Sequence, residues 1–233
     1  MLLSIQQGAE IAQDNLEEVI SEEKTLSIYN LIMDGGLGGK IIIAILIVLL
    51  AVALYIYFER YLAIKAATKI DKNFMNQIRD HVSNGKLEAA KILCVQDASP
   101  ASRLIEKGIS RIGKPLDDIN TAIENAGKLE IYKLERNVSV VATIAGAAPM
   151  IGFLGTVIGM IVAIHEIANA GGQIDIKMLS DGLYTAMTTT VAGLIVGIIS
   201  YIAYNHLVVR TNKVVYQMEA QSVEFLDLLN EPV

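Results

Sequence analysis

Three long apolar blocks interrupt an otherwise polar chain. The first, IIIAILIVLLAVALYIYF (residues 41–58), carries no charge and as a helix would reach about 27 Å, enough to cross a bilayer. The second, VSVVATIAGAAPMIGFLGTVIGMIVAI (138–164), is longer, roughly 40 Å, so it must tilt or protrude. The third, GLYTAMTTTVAGLIVGIISYIAYN (182–205), is again uncharged but rich in Thr and Tyr. The pattern predicts an all-α membrane protein whose transmembrane helices occupy 41–58, 138–165 and 182–208. Between the first two lies a helical insert, 59–137. A 166–181 loop joins the second and third, and a 209–233 tail continues the third as helix.

Within the insert, RYLAIKAATKIDKNFMNQIRDHV has helical apolar spacing and stops near SNGK. LEAAKILC follows, and DASP makes a turn. Pro115, with Asp117 and Asp118 behind it, opens another helix with suitable first-turn chemistry. That helix is expected to run through LERN directly into the second span. In residues 1–40, NLEEVISEEKTLSIYNLIM reads as an amphipathic helix lying on a membrane surface, broken by DGGLGGK.

Charge gives the blocks a direction. The segment between the first and second spans holds 14 of the 19 Lys and Arg. The connection from Glu166 to Asp181 has only Lys177, and the first 40 residues set Lys24 and Lys40 beside seven acidic groups. Positive residues stay inside, so the insert and the C-terminal tail are expected in the cytoplasm and the N-terminus outside. The start, MLLSIQQGAE, lacks the basic flank of a cleaved signal, so the first span is expected to act as its own.

Composition removes several function classes. A net charge of −6 offers nothing for nucleic acid. Cys94 stands alone, which excludes an intrachain disulfide, and no second Cys or nearby His makes a metal site. No clustered catalytic set or nucleotide-binding glycine loop suggests an enzyme or a cofactor. None of the three spans holds an Asp, Glu, Lys, Arg or His in its core, so a proton crossing here needs a titratable group from another polypeptide.

What the spans do carry is small residues. Gly152, Thr156, Gly159 and Ala163 fall on one helical face, as do Ala186, Thr190, Gly193, Gly197 and Ser200 on another; Gly155 and Gly159 also form a GxxxG. Lipid tails favour no such stripe, whereas close helix approach or a polar lumen does. Pro149 removes a backbone N–H and disturbs the bond to Ala145, which reads equally as a kink shaping a cavity or as a tolerated detail. A Thr hydroxyl can bond its own helix backbone, so Thr185, Thr188, Thr189 and Thr190 do not by themselves define a pathway.

LERNVSVVATIAGAAPMIGFLGTVIGMI followed by LSDGLYTAMTTTVAGLIVGIISYIAYN resembles the MotA/TolQ/ExbB proton-channel family, in its three-span ExbB/TolQ branch. The resemblance implies a multi-pass protein of the bacterial inner membrane and a ring, five copies in that family. The ring surrounds the helices of an ExbD- or TolR-like single-span partner that carries an intramembrane Asp. The motion would pass to a TonB- or TolA-like protein. It further implies pore-lining roles for Thr156 and Thr190 and identifies Pro149 with the family proline. Many family members carry a Glu early in the third span; this sequence has Thr185 there, with Asp181 one turn earlier as a partial substitute at most. The expected wall combines these Thr hydroxyls with Gly152, Gly155, Gly159, Ala186, Gly193 and Gly197. The rival expectation is a membrane scaffold that conducts nothing, since packing explains every feature except the Thr positions.

Overall fold

A computed structural model describes residues 37–68, 73–169 and 176–230. The amphipathic helix expected before residue 37 and the side chain of Asp181 lie outside the described residues. Those described are almost wholly helical, with no strand among them. Seven helices follow in order: α1 Leu37–Ala67, α2 Phe74–Ser83, α3 Leu87–Asp97, α4 Pro100–Ile109, α5 Leu116–Glu135, α6 Val138–Asn169 and α7 Ile176–Asn230.

Three of them, α1, α6 and α7, are long and apolar enough to cross a membrane, with mean hydropathies of 3.1, 2.2 and 1.8 over their most apolar stretches. Only 28, 28 and 33% of those stretches is buried within the single chain. Ile47, Val48, Phe153, Leu154, Ile198 and Ile202 stand exposed, as lipid or neighbouring protein requires and water forbids. The 55 residues of α7 would extend about 80 Å, far beyond any hydrocarbon core, so this helix leaves the bilayer without a break.

Local chemistry sets the short helices. Ser99 caps α4, its hydroxyl accepting from the Ser102 N–H at 3.1 Å, and Pro100 occupies the first turn, where a missing N–H costs nothing. Ala98, at φ 51°, supplies the left-handed residue that ends α3. Two expected continuities are corrected. The helix expected over residues 60–82 is divided: α1 carries the first span on to Ala67, where Thr68 donates both its N–H and its hydroxyl to the Ile64 carbonyl, and α2 starts at Phe74. Nor does α5 flow into α6. Arg136 is extended (ψ 128°) and Asn137 sits at φ 62°, a left-handed conformation that Asn tolerates better than most residues. A third correction is local: Leu37–Lys40, expected to lie in a break, is already helical.

The chain divides into two compact units. One comprises Ala44–Gly152 with Val191–Val233. Its core gathers Ile64 of α1, Phe74 and Ile78 of α2, Cys94, Ile105, Ile123, and Leu207, Met218 and Phe225 of α7. Burial, reinforced by Glu106 and Asp97, pushes the Cys94 thiol up to about 12, which leaves it un-ionised and unreactive at neutral pH.

The same unit holds a buried ionic knot. Glu130, 5% exposed, accepts from Arg103 and from Lys133, each at 2.6 Å, while buried Arg60 donates to the Lys133 carbonyl at 3.0 Å and pairs with Glu59. Burial alone would raise Glu130, but its hydrogen bonds to Arg103 and Lys133 and their charges outweigh burial and hold the carboxyl below its ordinary 4.5. A depressed carboxyl contributes stability that is fully present above the ordinary value and is lost as pH falls through the folded one. Glu130→Gln is therefore expected to cost about 1–3 kcal/mol at pH 7 and to flatten the acid limb of the melting temperature below pH 4.5. Thermal melts from pH 7 to pH 3 check both; an acid limb identical to the wild type's would remove Glu130 from the account.

The other unit comprises Phe153–Thr190 with the beginning of α1 up to Ile43. It is the smaller of the two, and it contains the Thr residues singled out above.

Candidate functional site: a hydroxyl pair between two spans

Two helices approach closely only where side chains are short, and the sequence supplies such positions in register. In the unit around Phe153–Thr190, a Cβ placed on Gly159 would stand 3.1 Å from the Ala186 Cβ and 3.2 Å from the Gly182 carbonyl oxygen. A Cβ on Gly155 would overlap the Thr189 side chain, and one on Gly182 would stand 2.5 Å from Ala163. Gly39 of α1 meets Thr185 in the same manner. In the other unit, Gly193 faces the backbone of Ala148 and Gly152, and Gly197 faces Pro149. Both stripes are thus turned toward each other inside one chain. The glycines expected to furnish a lumen wall are engaged in intrachain packing, and Pro149 serves as the surface against which Gly197 rests.

This close approach brings polar atoms together. Thr156 Oγ1 bonds Thr190 Oγ1 directly and donates to the Ala186 carbonyl at 3.2 Å. Both Thr residues are only partly buried. Their neighbours differ. Thr189 is fully buried and donates to the Ala186 carbonyl at 2.8 Å; Thr188 donates to the Tyr184 carbonyl at 2.9 Å. Those two hydroxyls satisfy their own helix. Thr185 is buried beside Gly39. Thr156 and Thr190 are consequently set apart as a partly exposed pair that links two spans, whereas Thr185 belongs to the contact with α1.

Chemically, each hydroxyl has one proton to give and two lone pairs. Two linked hydroxyls ending on a carbonyl can reverse the sense of their hydrogen bonds, so the pair can present an acceptor to a neutral acid or a donor to an anion. It cannot itself carry charge. Among the described residues no group of three or more His, Cys, Asp or Glu is placed to hold a metal ion.

Sequence reading passed over two participants. Gly182 lies four residues before Ala186, a second small-xxx-small signature that pointed to the Ala163 contact. Thr189 was one hydroxyl in a run of three, and only the register of Gly155 against it marks it as a packing residue. His206, beyond the apolar block of the third span, bonds the Tyr57 hydroxyl through Nδ1 at 2.9 Å and accepts from Arg210 Nε at 2.9 Å. Arg210 in turn lies over the Tyr61 ring.

The paired spans coincide with a known family. The family model described as the MotA/TolQ/ExbB proton channel family matches residues 96–220, more than half of the chain. This chain belongs to that family. Among curated proteins, it is similar to a putative biopolymer transport protein ExbB homolog of Methanothermobacter thermautotrophicus, 28% identical over 58% of this chain and 47% of that protein. The biopolymer transport protein ExbB of Aquifex aeolicus is 36% identical over 43% of this chain and 69% of its own length. The Tol-Pal system protein TolQ of Haemophilus influenzae is 28% identical over 81% of this chain and 87% of its own length. The chain therefore spans about half the length of the first of these relatives and most of the last. The Thr156–Thr190 pair lies within the matched region.

Proposed function

We propose that this chain is the ring-forming subunit of a proton-driven motor in a bacterial inner membrane. The observation that carries the proposal is the Thr156–Thr190 hydroxyl pair, partly exposed, in spans that contain no ionisable core residue. Five copies assemble around the single helices of an ExbD- or TolR-like partner. Its intramembrane Asp takes a proton from outside, passes the hydroxyl pairs and releases the proton inward. One proton crossing 100 mV releases about 2.3 kcal/mol. The hydroxyls bond either form of the acid, so neither protonation state is trapped, and Thr185 supports this wall from the α1 side. Outside the spans, Leu129, Tyr132, Tyr216 and Val223 are exposed on α5 and α7, which suits contact between neighbouring subunits. The distribution of Lys and Arg supports an N-terminus in the periplasm and a C-terminus in the cytoplasm.

The motion is passed to a TonB-like protein for outer-membrane transport. The TolQ likeness over 81% of the chain favours a second reading, a Tol-type envelope-maintenance motor with the same proton chemistry. Purifying the full chain from its native membrane tests both. A single-span protein with an Asp at mid-depth of its helix is expected to co-purify, and its periplasmic domain distinguishes the two pathways. Recovery of a stable ring with no such companion, under conditions that preserve lipid-embedded complexes, would leave only the scaffold.

A further inference from the structure

Past the apolar block of the third span, four side chains of α1 and α7 close on one another. Tyr57 and Tyr61 are one turn apart on α1, and His206 and Arg210 one turn apart on α7. The imidazole meets the Tyr57 hydroxyl through Nδ1 and takes the Arg210 Nε–H on Nε2, each at 2.9 Å. Its ring stacks on Tyr61 with centroids 5.8 Å apart, and the Arg210 guanidinium lies 4.8 Å from the centre of the same Tyr61 ring. All four residues are only partly buried, so the cluster is packed yet within reach of protons from water.

The bonding fixes the state of the histidine. A guanidinium has donors and no acceptor, so Nε2 holds a lone pair, and the one proton of a neutral ring sits on Nδ1 and is donated to the Tyr57 oxygen. A second proton, on Nε2, would remove the acceptor and set two cations against each other. The surrounding charges do not relieve that clash. Among the described residues Arg210 has no ion-pair partner. On α1, Glu59 is taken by Arg60, which also donates to the Lys133 carbonyl of α5, and on α5 Lys133 and Glu130 bond each other. Lys65 and Lys213, a turn beyond Tyr61 and Arg210, add only positive charge. Arg136, at the α5–α6 break, lines a cavity with Tyr204 and Val208, on the other side of α7 from His206.

We propose that His206 and Arg210 form a proton-operated latch between the first and third spans. Neutral His206 holds Arg210 over Tyr61 and ties α7 to α1. A proton taken from water onto Nε2 expels Arg210, which keeps its own charge, while the Nδ1–H bond to Tyr57 remains; one of the two ties between the helices is lost. Histidine is the side chain whose charge ordinarily changes between about pH 5 and pH 8. The distribution of Lys and Arg supports a cytoplasmic position for this end of the spans, so the latch responds to internal acidity. It makes no contact with the Thr156–Thr190 pair, and it stands or falls independently of the proton pathway.

The test uses the full chain in detergent with nitrogen-15 in its His and Arg side chains, compared between about pH 8 and about pH 5.5. At the higher pH the His206 resonances are expected to show the Nδ1–H tautomer, and the Arg210 Nε–H to be protected from exchange relative to free arginine. Both signals are identified by their absence from His206→Gln and Arg210→Gln. At the lower pH the protection of Arg210 should disappear as His206 gains its second proton. Melting temperatures give the second readout. His206→Gln keeps an acceptor for Arg210 at every pH, so the wild type should lose roughly 2–4 °C more than this variant on acidification, the scale of one lost tie in a chain of this size. His81 and His165 contribute the same background to both. Arg210→Gln should flatten the profile likewise, because its imidazolium meets no cation, whereas His206→Lys, charged throughout, should show the open state already at the higher pH. A merely structural cluster would lower stability in these variants without changing its dependence on pH. The proposal is overturned by an Nε2–H tautomer at the higher pH, by Arg210 protection that survives protonation of His206, or by a wild-type pH profile that superimposes on that of His206→Gln. Should a variant fail to accumulate, the tautomer and Arg exchange of the wild type decide the matter alone.

Discussion

Gly193→Val is expected to prevent accumulation of folded protein, and Gly193→Ala to lower its melting temperature sharply. A Cβ at this position would stand 2.6 Å from the Ala148 carbonyl oxygen, 2.8 Å from the Gly152 Cα and 3.1 Å from the Gly152 nitrogen. All three are backbone atoms. A side chain in the way can change rotamer, but a backbone can yield only if α6 and α7 separate, and separation loses every contact along the seam. Forcing one methyl into a packed interior costs about 1–3 kcal/mol, and a contact against fixed backbone belongs at the upper end. Valine adds two more carbons and moves the cost beyond what a marginally stable protein holds in reserve. Gly146→Ala is the matched control. It lies on α6 with nothing within 4 Å of the added atom and is expected to be neutral or slightly stabilising, since Ala is the better helix former by about 1 kcal/mol. The yield of monodisperse protein and its melting temperature in one detergent measure both variants. If Gly193→Val accumulates and melts like the wild type, the two spans do not meet along this seam.

The same contacts explain how far the sequence could be read. Spans were legible because an uncharged block 18 or more residues long has one economical place to go. The turn at Ala98–Pro100 and the start of α5 behind Pro115 were legible for a different reason: αL residues, Ser caps and prolines act locally. The break at Asn137 was hidden because Asn is tolerated within helices as well as in left-handed turns, and LERNVSVV continues a helical pattern through it. What the small stripes faced was hidden for a deeper reason. A stripe of Gly, Ala and Thr has the same composition whether it meets its own neighbour or an open lumen, and only the register of α6 against α7 assigns each residue. That register sends Gly155 to Thr189 and Gly193 to Gly152, while Thr156 reaches Thr190 across the seam. Thr156 and Thr190, each singled out through the family resemblance, are brought into contact, with glycines acting as spacers between the helices.

That division of labour makes the Thr positions separable from the glycines by mutation. Thr156→Val combined with Thr190→Val is expected to abolish work driven by the proton gradient while leaving the protein folded, assembled and bound to its partner. Valine reproduces the shape of threonine, so the steric seam stays intact; what disappears is the Thr156–Thr190 bond and the bond to the Ala186 carbonyl. That carbonyl keeps the Thr189 hydroxyl at 2.8 Å, so no buried acceptor is stranded. Interhelical hydrogen bonds of this kind average about 0.6 kcal/mol in membranes, too little to unfold the chain. The functional cost is of another order. A carboxylate crossing an apolar wall with no donor pays several kcal/mol in desolvation, and each 1.4 kcal/mol on the barrier is a tenfold loss of rate. Two missing hydroxyls therefore predict a fall of a hundredfold or more, on the order of 3 kcal/mol, against a melting temperature shifted by only a few degrees. Either single variant should retain part of the rate, because the remaining hydroxyl can still turn toward the acid, and Thr→Ser at both positions should restore most of it. Proton flux in vesicles carrying the reconstituted complex, measured beside its melting curve, separates the two quantities. Full flux in the double Val variant would reduce the pair to a packing detail, whereas collapse of both flux and folding would assign it to the seam.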